Sequence, residues 1–336
     1  MNEIVSDETA LPETVSPSTA ISMAIAAGEA VTITCRDGVR LGGHFWPASA
    51  TGLANQPLAS QSLASQPLAN VVINPATGVL ARYYHRYASF LASHGFDVLT
   101  YDYRGIGASR PGRLRGSGYR WRDWGERDCD AALRFMQERA SGAPLRVVGH
   151  SIGGFLPGLA ESASTIDRML TVGAQYAWWG DYAARRRLGL FLKWHVAMPA
   201  ATALHGYFPG RWLGWLEDLP AGVANEWSFR GPRFERSHPR GERKAVLARM
   251  AAVKAPILAV SVTDDELGTR AAVRRTLGYY TGASRTMVSL TPADYGREAI
   301  GHFKLFHDSH AGDFWIDTLL WLRDGVNPWP QKVVDL

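Results

Sequence analysis

Five residues, Gly149-His150-Ser151-Ile152-Gly153, carry the strongest chemical signal in the chain. They follow an apolar run from Leu145 to Val148 that is too brief for a helix. They lead into a segment with helical spacing through Leu156, Leu159 and Ala160. The pattern reads as strand, sharp turn, helix. A turn this tight holds its central residue in a strained conformation, and the flanking glycines are needed because a Cβ at either place would meet the neighbouring strand or helix. Ser151 is thereby presented at the tip. A serine hydroxyl is a poor nucleophile near neutral pH: it needs a base to take its proton and an acid to orient that base. The motif therefore predicts two partner side chains elsewhere, and backbone N–H groups to hold the oxyanion that develops on an attacked carbonyl.

The elements that must position these groups follow a regular rhythm. Residues 1–29 are acidic, rich in Ser and Thr and poor in aromatics, which predicts a flexible tail. From Ala30 the chain alternates as a strand should, turns at Asp37-Gly38 and alternates again to Trp46, an antiparallel hairpin. Residues 49–70 repeat Gln-Pro-Leu-Ala and Leu-Ala-Ser-Gln, a low-complexity surface loop. Strands then alternate with helices: Val71 to Ile73, a helix through Tyr84 to Leu91, Phe96 to Tyr101, a helix over 124–139, the strand before Ser151, and Met169 to Val172. Pro256 to Val262, a helix over 270–280, Thr286 to Leu290 and a last helix over 313–322 continue the series. Such alternation predicts an α/β fold, a mostly parallel, doubly wound sheet covered on both faces. Residues 177–253 break it, with Trp178, Trp179, Trp194, Trp212, Trp215 and Trp227 crowded among basic and Pro-containing stretches. They read as an inserted helical cap, leaving 30–176 and 254–336 as the core. The cap tryptophans fit a substrate pocket and the subdomain's own core about equally well.

Strand, turn and helix around Ser151, together with Asp102-Tyr103-Arg104-Gly105-x-Gly107-x-Ser109 and the region of His302, resemble the α/β-hydrolase superfamily. The resemblance spans roughly Val31 to Leu322 and points to the group that includes serine aminopeptidases of the S33 type and monoglyceride-lipase-like enzymes. It implies the chain order Ser, acid, His, with the acid just after a late strand. Asp264 and Asp265 follow Val260-Ser261-Val262-Thr263 at that place. Counting from Thr269 favours Asp265, with Asp264 as the near alternative; the competing role for either is to cap the helix that follows. The base implied is His302, within Gly301-His302-Phe303 after the last strand, ahead of His307 and His310. The oxyanion donors implied are Ile152, after the nucleophile, and Thr77, within Pro75-Ala76-Thr77-Gly78, where many relatives carry His-Gly. The Asp102 to Ser109 turn is read as architecture, with Arg104 paired to a nearby acid. Its Gly-Ile-Gly lacks the third glycine and the helix of a dinucleotide fingerprint, so no cofactor is expected.

Composition bounds the rest. With 336 residues, 46% of them hydrophobic and 20% charged, the chain can bury a large core. The net charge of +5 comes from scattered arginines without a basic block, which argues against a nucleic-acid partner. Cys35 and Cys129 lack any metal or disulfide spacing and are read as reduced. His150 is read as a packing residue, and His195 and His205 as structural. No Lys or Arg precedes Arg36, whereas a secretory signal has a basic start, so a cytoplasmic protein is expected. The apolar patch at Ile21 to Ala27 is too short to span a bilayer. The segment Arg185 to Leu192, basic then apolar, suits either a membrane surface or a cover over a hydrophobic cleft; the cover is preferred. The reaction these residues imply is hydrolysis of a small-molecule carboxylic ester with an apolar acyl or alcohol part. Acyl transfer or amide hydrolysis by the same three side chains is the alternative, and a non-catalytic binding protein of the same fold the second.

Overall fold

The computed structural model describes residues 28–49, 67–139 and 142–336. Most of the predicted N-terminal tail and most of the 49–70 loop lie outside the described residues. β1 (Glu29–Thr34) and β2 (Arg40–Trp46) pair antiparallel around Gly38, whose φ of 81° only glycine adopts without strain. β3 (Ala69–Asn74), β4 (Phe96–Tyr101), β5 (Leu145–His150), β6 (Ile166–Val172), β7 (Ile257–Val262) and β8 (Arg285–Leu290) run parallel. The sheet order is β1-β2-β4-β3-β5-β6-β7-β8-β9, with β9 (Val333–Val334) antiparallel on β8. The mostly parallel sheet expected from the alternation is therefore present.

The apolar character of the strands follows from burial on both faces. Val72 and Val147 belong to one hydrophobic cluster, while Val71, Ile73 and Val148 belong to another, as side-chain alternation along a strand requires. α1 (His85–Ser93) supplies Tyr87, Phe90 and Leu91 to the second cluster. α2 (Asp130–Arg139) supplies Leu133 and Met136 to the first. Between β6 and β7 lie α3 (Arg187–Phe191), α4 (Met198–His205), α5 (Ala221–Ser228) and α6 (Arg243–Ala252). After β7 come α7 (Arg270–Leu277) and α8 (Phe314–Leu319). No helix among the described residues is long and apolar enough to cross a membrane.

The helix expected after Ser151 is a correction. Residues 151–165 form three successive 3₁₀ turns instead. In an α-helix the Gly153 carbonyl would bond to the N–H of residue 157, but Pro157 has none. That carbonyl instead accepts from Asn74 Nδ2 at 3.3 Å. The Tyr280 hydroxyl then splits the next step, accepting from the Gly158 N–H at 3.0 Å and donating to the Phe155 carbonyl at 2.9 Å. Helical spacing of apolar residues was present, yet Gly154, Pro157 and Gly158 lower the helix propensity and a neighbouring side chain satisfies the backbone another way.

Candidate active site

Ser151 sits where β5 ends, with φ at 55°, a left-handed conformation that non-glycine residues rarely adopt. The elbow is possible because its flanks have no side chain. A Cβ on Gly149 would lie 2.4 Å from the Gly154 Cα, and one on Gly153 2.1 Å from the Asn74 carbonyl oxygen. Both obstacles are backbone and cannot swing aside. Gly153→Ala is accordingly expected to cost about 1–3 kcal/mol or more, as overpacking does, read as a lower midpoint in chemical denaturation; an unchanged midpoint would contradict the packing described.

Asp265 and His302, 37 residues apart in the sequence, meet. Asp265 lies just past β7, and its Oδ2 is 2.7 Å from His302 Nδ1. Its Oδ1 accepts from the Leu267 and Gly268 N–H groups at 2.8 and 2.7 Å. Burial alone would raise this carboxyl, but the His302 imidazole and the two N–H donors outweigh it and hold Asp265 below its usual value. An ionised carboxylate only accepts, so in the neutral imidazole Nδ1 carries the hydrogen and Nε2 is left with its lone pair. Asp264 has other work: it accepts from the Ile300 and Gly301 N–H groups at 2.9 and 3.0 Å and pins the loop that carries His302. Neither aspartate caps the next helix, since Thr269 does so, accepting from the Ala272 N–H at 3.3 Å. Two glycines that sequence reading passed over make room for the pair. A Cβ on Gly268 would stand 2.6 Å from Asp265 Oδ2, and one on Gly173, at the end of β6, 3.1 Å from His302 Cε1. Their only signal is position, Gly173 directly after β6 and Gly268 directly before the cap of α7.

Ser151, Ile152, Thr77 and His302 line one cavity of about 380 Å³, within the range of small-molecule sites. The Ala76 N–H is taken by the Tyr84 hydroxyl at 3.0 Å, whereas the Thr77 N–H makes no hydrogen bond among the described residues. Ile152, early in a 3₁₀ turn, has an N–H without an intrahelical acceptor. Gln175, unremarked in the sequence, donates from Nε2 to Ser151 Oγ at 3.4 Å. His307 and His310 are elsewhere, and His310 Nδ1 is held by Asp313 at 2.8 Å. His195 is fixed to the Ser228 carbonyl and His205 to that of Ala201. Arg104 pairs with Asp128 at 2.6 Å and Asp37 at 2.7 Å, and Asp102 accepts from the Ala81 and Ala108 N–H groups, so the Asp102 to Ser109 turn is built as architecture. In the 185–192 segment Arg186 and Leu190 line the cavity, while Leu188 is 72% exposed.

His150 does more than pack. Its Nε2 lies 2.8 Å from the His302 carbonyl, which can only accept, so Nε2 carries the hydrogen. Nδ1 then accepts from the Tyr84 hydroxyl at 2.7 Å, and Tyr84 in turn accepts from the Ala76 N–H. The loop carrying Thr77, the residue before Ser151 and the backbone of His302 are thus tied by one buried chain of hydrogen bonds. Tyr84→Phe breaks it at two places, and a loss of about 1–3 kcal/mol in stability is expected from the buried groups left unpaired, measured by urea unfolding. Burial and the neighbouring His302 push His150 from 6.5 down to about 3. The unfolded chain therefore takes up a proton that the native state refuses, so stability falls as pH drops from about 6.5 towards 3. The melting temperature of His150→Gln should fall less than that of the parent between neutral and mildly acidic pH; equal slopes would refute the assignment.

The strand order, with β5 at its centre and Ser151 directly after its last residue, is that of the α/β-hydrolase fold, and comparisons with known proteins agree on the fold. Residues 65–212 match the family model described as serine aminopeptidase, S33. Among solved structures, an esterase from Pyrococcus furiosus is 16% identical with a TM-score of 0.53, covering 90% of this chain and 95% of its own. A soluble variant of monoglyceride lipase from Saccharomyces cerevisiae, in complex with a substrate analog, is 14% identical with a TM-score of 0.55, covering 87% and 94%. A puromycin hydrolase is 20% identical with a TM-score of 0.52, covering 89% of this chain and 39% of that one. At these identities the likeness is one of fold. No curated protein matches the chain in sequence.

Proposed function

We propose that this protein hydrolyses a carboxylic ester through an acyl-enzyme on Ser151, with His302 as base, Asp265 as its orienting acid, and the Thr77 and Ile152 N–H groups as oxyanion donors. Ser151 Oγ attacks the ester carbonyl and its proton passes to His302 Nε2. The carbonyl oxygen, now negative, is held by the two N–H groups. Collapse expels the alcohol, which takes the proton from His302, and a water activated by the same imidazole releases the acid. The reaction needs no cofactor. Residues 177–253 serve as the cap over the cavity and select what enters.

The observation that carries this reading is the 2.7 Å contact between His302 and Asp265 in a cavity shared with Ser151 in its left-handed elbow. A fluorophosphonate probe should label the protein at Ser151, and mass spectrometry of the digest should find the adduct on that residue. Absence of labelling, or labelling that persists in Ser151→Ala, overturns the proposal.

A further inference from the structure

Among the described residues, the buried side-chain polar atoms along the cavity that have no hydrogen-bond partner are all donors. Arg230 lines it, is 4% exposed, and lies over the Trp121 ring at 3.9 Å. One of its terminal nitrogens donates to the Tyr176 carbonyl, while Nε and Nη2 have no hydrogen-bond partner among the described residues. Glu226 acts on it electrostatically, but among the described residues no carboxylate is within ion-pair distance of Arg230. Lys193 also lines the cavity. Its ammonium rests 4.6 Å from the centres of both the Trp194 and the Trp215 rings, and it too has no ion pair among the described residues. The indole N–H groups of Trp121 and Trp194, buried in the same wall, have no acceptor among the described residues.

The acidic side chains that line the cavity cannot answer them. Asp264 is occupied by the Ile300 and Gly301 N–H groups. Glu266 is paired with Arg185 at 3.5 Å and Arg186 at 3.2 Å, which also accounts for the third cation on the wall. Buried charges are ordinarily paired, and a guanidinium presents a planar fork that matches a carboxylate. A neutral acyl chain would leave Arg230 Nε and Nη2, the Lys193 ammonium and both indole N–H groups without an acceptor among the described residues.

We propose that the ester hydrolysed here carries a free carboxylate, bound by Arg230 and Lys193 while its ester carbonyl lies at Ser151. This rests on the reading of Ser151 as nucleophile, and the test separates the two. The probes are the 4-nitrophenyl hemiester of adipic acid and the same compound with its free carboxylate methylated. The parent protein should favour the anionic ester by about ten-fold or more in kcat/KM, chiefly through KM, as expected for a hydrogen bond to a charged group. Lys193→Gln and Arg230→Gln should each bring that ratio towards one, with circular dichroism showing that each variant is folded; Lys193, partly exposed, is the safer substitution. Calorimetric binding of monomethyl adipate to Ser151→Ala gives a readout independent of turnover, and adding Lys193→Gln should weaken it about ten-fold. Hydrolysis of both esters at equal rates, or a preference unmoved by either substitution, overturns the anion site and leaves the hydrolase reading standing. Binding that depends on Lys193 without hydrolysis of either ester does the reverse. Absence of both binding and hydrolysis overturns both.

Discussion

Replacing Ser151 with Ala is expected to lower kcat on a short-chain 4-nitrophenyl ester by about 10⁴-fold or more, the scale on which loss of a serine nucleophile is felt in other hydrolases. In the proposed mechanism the hydroxyl is the group that forms the covalent bond, and no neighbour can substitute for it: Gln175, its hydrogen-bond partner, is an amide. The substitution should leave the fold intact, because alanine replaces serine at the same φ of 55° with one atom fewer in a buried elbow. Melting temperature and circular dichroism are to be measured alongside the rate. Full activity in a folded Ser151→Ala protein would remove the mechanism proposed.

The second large effect is a contrast between neighbours. Asp265→Asn should reduce kcat by about 10⁴-fold, because an amide in that place no longer fixes the His302 tautomer with its Nε2 lone pair free. Asp264→Asn should act differently. Its carboxylate accepts from the Ile300 and Gly301 N–H groups and does not reach the imidazole. An asparagine oxygen can keep one of those bonds, so a loss of about 1–3 kcal/mol in stability is expected with only a modest change in rate. Kinetics and urea unfolding on the two variants decide it. If Asp264→Asn is the more damaging to kcat, the roles given to the two aspartates are reversed.

Reading the sequence picked out the elbow and the mostly parallel sheet, but not the local path of the backbone beside them. Ser151 between two glycines is a local steric requirement, met within five residues and therefore visible in them. The parallel sheet was visible because strands buried on both faces must be apolar along their length, as Val71 to Ile73 and Val147 to Val148 are. The 3₁₀ path after Ser151 was not, because it depends on the Tyr280 hydroxyl, more than a hundred residues away, entering between Phe155 and Gly158. Nor was the role of His150: an imidazole beside an apolar strand looks like packing until Tyr84 and the His302 carbonyl are placed on either side of it.

By itself, then, the chain order of residue types determined which side chains have the right chemistry to meet: a serine in an elbow, a pair of aspartates after a late strand, and a histidine after the last one. Only the tertiary structure divided the labour of Asp264 and Asp265, because the two are adjacent in sequence and differ only in where β7 directs them, one to backbone N–H groups and one to an imidazole. It alone also brought Arg230, Lys193 and the indoles of Trp121 and Trp194 to a single cavity. Whether a charge or a donor is satisfied depends on what folding places within about 3 Å of it, and that distance is not written in the order of the residues.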